Sequence, residues 1–182
     1  MNDNDLFWDV QSRTSLLKTV VFEVEGRHSK SATGIEGDYI ALKGRRWVVT
    51  IPVTGDSVVL VRQWRHGLEG LTVEFPGGVV ENDEDPIEGA ARELLEETGF
   101  KAGKMTYLGT CNPNPAIFAN SIVFCLAEDL VQTGETHLDH DELLTTMTLP
   151  LKEVIDNFAK GEYINAFMGT AITLYLRHIG EI

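Results

Sequence analysis

Along most of the chain the apolar residues come in short, β-branched runs, and only near its end do they take helical spacing. Leu16–Glu25 (LLKTVVFEVE) reads as a strand, the polar stretch 26–37 as a turn or loop, and Tyr39–Leu42 as a second short strand. So few strands bury too little to stand alone. Residues 1–46 are therefore expected to form a small N-terminal antiparallel β domain that leans on the main domain or on a second subunit. Trp47–Thr54 and Ser57–Gln63 are consecutive strands across a Gly55-Asp56 turn. Strands are also expected at 71–75, 105–110, 121–126 and 143–149, and helices at 154–160 and 166–178 with Gly161 between them. The mixture predicts an α+β domain over 47–182, with the sheet layered between helices.

Within that domain the stretch 78–100 (GVVENDEDPIEGAARELLEETGF) departs from an ordinary core pattern. Asp85 is a good N-cap, Pro86 suits the first helical position, Glu88 sits where a capping-box carboxylate reaches back, and Gly99 suits a left-handed end. On the helix so defined, Glu93 and Glu97 share a face at a spacing of four, and Glu96 lies three from Glu93. Like charges stacked this way repel. A hard divalent cation with oxygen ligands removes that cost. Arg92, four before Glu96, can tie one carboxylate in place as a brace. Most charge runs are merely solvated faces, so the helix by itself leaves both readings open. An EF-hand loop does not fit, because Ile87 stands where a ligand is needed and the required glycine is missing.

Composition narrows the partners. A chain of 182 residues, 43% apolar and 24% charged, is ordinary globular material. The net charge of −13 argues against a long nucleic-acid backbone as partner, which needs clustered Lys and Arg. It leaves room for a small anionic substrate met by metal ions and a few arginines. No apolar run approaches a membrane span, and MNDNDLFWDV carries no hydrophobic signal core, so a cytoplasmic protein is expected. Cys111 and Cys125 lack metal-type spacing and are expected as buried thiols.

Spacing decides between the open readings of the acidic helix. Gly78, five residues, Glu84, seven residues, Arg92-Glu93, two residues, Glu96-Glu97, one residue and Gly99 matches the Nudix box at every defined position, so the chain resembles the Nudix hydrolases. Outside the box it is similar to the subgroup that cleaves ADP-ribose and other nucleoside diphosphate sugars. That likeness rests on Asp38-Tyr39, Trp47-Val48-Val49, Arg62-Gln63-Trp64-Arg65-His66-Gly67, Glu74-Phe75-Pro76-Gly77-Gly78, Asn112-Pro113-Asn114-Pro115 and an acidic loop ending at Glu142. It departs at Gly77, where many ADP-ribose hydrolases carry alanine, at Ala116-Ile117, and at His140, where an acid is common. GDP-mannose or another nucleotide sugar is therefore kept as an alternative substrate. So are other nucleoside diphosphate compounds, nucleoside triphosphates and dinucleoside polyphosphates. A binding-only sensor is disfavoured because no box glutamate is lost.

The resemblance implies an α/β/α sandwich with a mixed sheet, a small N-terminal β domain and a homodimer in which that domain reaches the partner's site. It implies Mg²⁺, with Mn²⁺ as an alternative, held by Glu93, Glu97, Glu96 and the carbonyl of Gly77, with Arg92 as brace. Arg62, Arg65, Glu74 and Trp47 are the candidate substrate contacts. A guanidinium fork matches phosphate oxygens, and Arg62 is preferred. Trp47 suits either a stacked base or the core. The catalytic base is expected in the loop 134–142, with Glu142 favoured over Asp139, His140 and Asp141, since carboxylates bound to a cation are poor bases.

Overall fold

The computed structural model describes residues 2–134, 136–138, 140 and 142–182, and the chain divides into two compact units. The first comprises residues up to Arg45 together with 112–121, and the second comprises 46–111 and 122–182.

In the first unit, β1 (Trp8–Lys18), β2 (Phe22–Ser31) and β3 (Glu36–Gly44) form an antiparallel sheet in the order β1-β2-β3. The single strand expected at 16–25 is thus the end of one strand, a turn and the start of the next. Thr19 makes the turn. Its hydroxyl donates to the Phe22 carbonyl at 2.7 Å and accepts from the Phe22 amide at 3.0 Å. An apolar run crossing a turn hides it, because Val20 and Val21 stay exposed on the turn instead of filling a core. The stretch read as loop from Gly26 is the central strand β2. Its polar residues are accommodated by ion pairs: buried Glu25 accepts from Arg13 at 2.8 Å and Arg27 at 2.7 Å. β1 went unread because WDVQSRTS alternates weakly, and every residue of β1 is exposed. The stretch 112–121 joins this unit through Leu42, whose amide donates to Ile117 and whose carbonyl accepts from Ala119.

The second unit contains β4 (Trp47–Thr54), β5 (Ser57–Arg65), β6 (Gly70–Glu74), α1 (Pro86–Thr98), β7 (Phe100–Lys101), β8 (Lys104–Cys111), β9 (Ile122–Glu128), β10 (Val131–Gln132), β11 (Leu144–Pro150), α2 (Leu151–Asn157) and α3 (Ala166–Ile179). The six-stranded sheet runs β11-β5-β4-β9-β8, with β6 also paired to β5. β4 and β9 are parallel and the other pairs antiparallel, so the sheet is mixed. The pair β7 and β10 is too short to show in the apolar pattern. α2 begins three residues before the expected helix because Pro150 ends β11 and the chain turns at once.

One face of the sheet packs on α2 and α3 through Val49, Ile51, Leu60, Phe124, Val154, Met168 and Ala171. The opposite face packs on α1 through Val48, Val80, Ala90, Val123 and Cys125. The sequence alternates accordingly along β4, and the domain has three layers, helix-sheet-helix. β4 and β6 share one edge of β5: β4 leaves it after Val58, and β6 joins it at Val61. The sheet is therefore split beside the C-terminal end of α1, where Thr146, the β11 partner of Val61, donates to the Glu97 carbonyl.

Candidate active site

α1 forms where its signals place it. The Asp85 carboxylate accepts from the Ile87 amide at 2.8 Å, and Gly99 ends the helix in a left-handed conformation with φ 71°. Thr50 on β4 donates its hydroxyl to the Ala90 carbonyl at 3.0 Å and fixes the helix to the sheet. The chain from Pro76 to Val80 runs alongside β4, where Thr50 donates to the Pro76 carbonyl and Val48 to that of Gly78, both at 2.9 Å. This closeness explains Gly77, and the nearness of the Glu93 carboxylate explains Gly78. A Cβ on Gly77 would lie 2.1 Å from the Val48 carbonyl oxygen, and one on Gly78 would lie 2.6 Å from the Glu93 carboxylate.

Arg92 gathers the acids of this region. It donates to Glu84 through Nε (2.9 Å) and Nη2 (3.1 Å), to Glu93 (2.9 Å) and Glu96 (2.8 Å) through Nη1, and to the Val79 carbonyl at 3.2 Å. Glu97 points elsewhere. It is buried, and its Oε2 accepts from the Gly77 amide at 2.8 Å. Burial pushes the Glu97 carboxyl up to about 8, with Glu93 and Glu142 adding to the rise against the Gly77 hydrogen bond. Glu93 is also raised, by burial above all, and again the charges of Glu96 and Glu142 add to it. Hydrogen bonding from Arg92 holds Glu84 below the ordinary carboxylate range.

The split in the sheet opens a slot of about 360 Å³ that reaches Gly77. Trp47, Phe75, Ile164 and Phe167 give it apolar walls, and Arg65, Glu74 and Asn165 its polar ones. Arg65 donates to Glu74 through Nε at 2.9 Å and Nη2 at 2.7 Å, and Thr72 also donates to Glu74. Burial raises the Glu74 carboxyl, but these bonds more than offset it and the net shift is downward.

The model of the NUDIX domain matches residues 44–167. The chain belongs to the NUDIX family. It is 27% identical over 144 residues to the ADP compounds hydrolase NudE of Escherichia coli, covering 78% of this chain and 77% of that one. It is 36% identical over 128 residues to the ADP-ribose pyrophosphatase of Bacillus subtilis, covering 69% of each. A crystal structure of an ADP compounds hydrolase superposes with a TM-score of 0.84 at 24% identity, over 96% of this chain and 97% of that one, which establishes the fold.

Against the Nudix fold the residues singled out from the sequence separate into four placements. Arg92, Glu93, Glu96 and Glu97 lie on α1, with Gly77 beside Glu97. Arg65, Glu74 and Trp47 meet in the slot. Arg62 does not join them. In the register of β5 it pairs with Val73, whereas Glu74 pairs with Val61, so Arg62 and Glu74 lie on opposite faces. Its guanidinium is bound on two sides by Glu162, at 2.6 and 2.7 Å. Glu142 lies within electrostatic reach of Glu93, Glu97 and Arg65. Its loop is tied to the Nudix helix by the His137 amide, which donates to the Glu96 carbonyl at 2.9 Å. Asp139 and Asp141 lie outside the described residues.

Sequence reasoning missed Glu162 and Asn165. They come a hundred positions after Arg62 and ninety-one after Glu74, and no spacing links them. It also missed Thr146, whose hydroxyl donates to the Glu97 carbonyl at 3.2 Å.

The donor chemistry fits a divalent cation. A buried carboxylate, Glu97, and a half-buried one, Glu93, both raised by desolvation and neighbouring charge, gain most from a hard positive charge, and the crowded glycines keep other side chains out. Among the described residues, no three acidic, His or Cys side chains already converge on one point. Arg92 binds Glu93 and Glu96, while Glu97 is bound by the Gly77 amide.

The Glu97 shift predicts a stability profile for the metal-free protein. In the unfolded chain Glu97 ionises near its ordinary value of 4.5, while the folded chain keeps the proton up to about 8. Between these values the native state binds more protons, so this residue's contribution falls as pH rises. Urea melts in chelator should show Glu97→Gln close to wild type at pH 4 and more stable by ~2–4 kcal/mol at pH 8. A stability difference that does not change with pH would refute the shift.

Proposed function

We propose that this chain hydrolyses the pyrophosphate bond of a nucleoside diphosphate sugar, releasing a nucleoside monophosphate and a sugar phosphate. The observation that carries the reading is the complete Nudix box folded as one unit, with a largely apolar slot opening at its Gly77 edge. The names of the two relatives favour an adenine compound, ADP-ribose first, with GDP-mannose or another nucleotide sugar as the alternative. A cytoplasmic location goes with this proposal, nucleotide sugars being intracellular metabolites.

A pyrophosphate resists attack because its anionic oxygens repel a nucleophile, so the site must neutralise charge and position a water. Nudix hydrolases work with a divalent metal ion, and Mg²⁺ is the ion proposed here, with Mn²⁺ able to replace it. Glu93, Glu97, Glu96 and the Gly77 carbonyl would hold it. When bound, it supplies charge neutralisation and a more acidic water. Arg92 keeps Glu93 and Glu96 at fixed positions. Arg65, paired with Glu74 at the slot, is proposed to meet substrate oxygens, and Trp47, which lines the slot, to pack against a flat ring. Glu142 is proposed as the general base. Its charge is felt by Glu93 and Glu97, so it lies near the acids without belonging to their helix.

The N-terminal unit is proposed as the dimer contact and as a contributor to the partner's site. In its sheet Trp8, Val10, Leu16, Leu17 and Ile40 are exposed, more apolar surface than a small sheet leaves to water without a partner.

A panel of nucleotide sugars with Mg²⁺, read as phosphate released after alkaline phosphatase, tests the activity directly. ADP-ribose should be cleaved and exhaustive EDTA should abolish turnover; full turnover after EDTA would sink the metal requirement. Glu142→Gln should lower kcat by ~10²–10⁴-fold with substrate affinity close to wild type, and His140→Ala should cost much less. The reverse pattern would make the histidine the base. Light scattering should report a dimer, and a monomer at working concentration would remove the N-terminal sheet's proposed role.

A further inference from the structure

We propose that Glu162, held by Arg62, is a positioning residue that sets affinity for the substrate group entering the slot without taking part in the chemistry. The inference rests on the nucleotide-sugar reading above. Residue 162 is gripped twice by the sheet. Its carboxylate accepts both arms of the Arg62 guanidinium, at 2.6 and 2.7 Å, and its carbonyl accepts from the Val73 amide at 2.9 Å. Arg62 and Val73 are cross-strand partners on β5 and β6, so one register point of the split sheet holds the segment by side chain and by backbone.

That segment forms the slot's outer wall. Ile164 and Asn165 come two and three residues after Glu162, and both line the slot. Asn165 is held in turn as the N-cap of α3, where its side chain accepts from the Phe167 amide at 2.9 Å. The turn leading in is closed by its own backbone, the Ala159 amide donating to the Tyr163 carbonyl at 2.8 Å and the Tyr163 amide to the Lys160 carbonyl at 3.0 Å. Ala159 adopts a left-handed conformation at φ 64° and Gly161 one at φ 54°. A left-handed alanine is unfavourable and persists only where neighbouring contacts impose it. Those backbone bonds are such contacts; the Arg62–Glu162 fork then anchors the end of the turn to the sheet, its planar two-point geometry fixing direction as well as distance. A single exposed ion pair contributes little to global stability. Its effect should therefore appear in the wall it orients and not in folding.

This assignment also gives Arg62 a role other than phosphate binding, and the two roles predict opposite results. If Arg62 met the substrate, removing the Glu162 charge would release it and lower KM. If the pair orients the wall, the same change raises KM. Glu162→Gln should raise KM for ADP-ribose by ~5–20-fold with kcat within ~3-fold of wild type and an unchanged melting temperature. The reciprocal Arg62→Glu/Glu162→Arg protein should return KM to within ~3-fold of wild type. Quenching of Trp47 fluorescence by AMP, in a Trp8→Phe/Trp64→Phe background, should weaken in parallel in Glu162→Gln. An unchanged or lower KM, a fall in kcat at constant KM, or no recovery in the reciprocal variant would overturn the proposal. If the wild type cleaved no nucleotide sugar, the functional reading would fail. The AMP titration would still decide the wall's role, and unchanged or absent quenching would count against it.

Discussion

The guanidinium of Arg92 is the constraint on which the site depends. It has five N–H donors, and the five hydrogen bonds it makes go to Glu84, Glu93, Glu96 and the Val79 carbonyl. Without it, acids at spacings of three and four on one helix would repel each other and splay toward solvent. With it, Glu84 from the preceding loop and two turns of α1 share one cation, and the loop from Val79 is pinned to the helix. Glu97 is the exception that gives the site its character. It lies beyond reach of Arg92, buried, with the Gly77 amide as its hydrogen-bond donor, and it carries the electrostatic cost that a divalent ion would relieve.

That arrangement needs the sheet behind it. Gly77 lets the loop come close enough to β4 for backbone pairing, and the Thr50 hydroxyl holds α1 on the same strand. The divergence of β4 and β6 then opens the slot at the point where the acids end. The apolar slot thus follows from the split in the sheet and opens where the acids of α1 end.

The two arginines of the RQWRHG stretch show how register sorts similar residues. Three positions apart on a strand, they must face opposite ways. Arg65 turns to Glu74 at the slot, and Arg62 turns to Glu162 on the other face. Their side chains are chemically identical, so only strand pairing could assign them.

The Nudix box, its helix with both ends, the layered α+β class and the family were legible in the sequence. Each rests on local chemistry: a cap, a left-handed glycine, a spacing of three or four. The acids' common face follows from helical geometry alone. The hairpin at Thr19 and the polar central strand β2 were not legible, because an apolar run continues through an exposed turn and because Glu25 is paid for by arginines from two strands. Nor could spacing reveal that Gly77 makes room for a neighbouring strand, that His137 ties a distant loop to Glu96, or that Arg62 meets Glu162. Those contacts join residues far apart in the chain, and strand register and chain crossings decide them, which exist only once the sheet has formed.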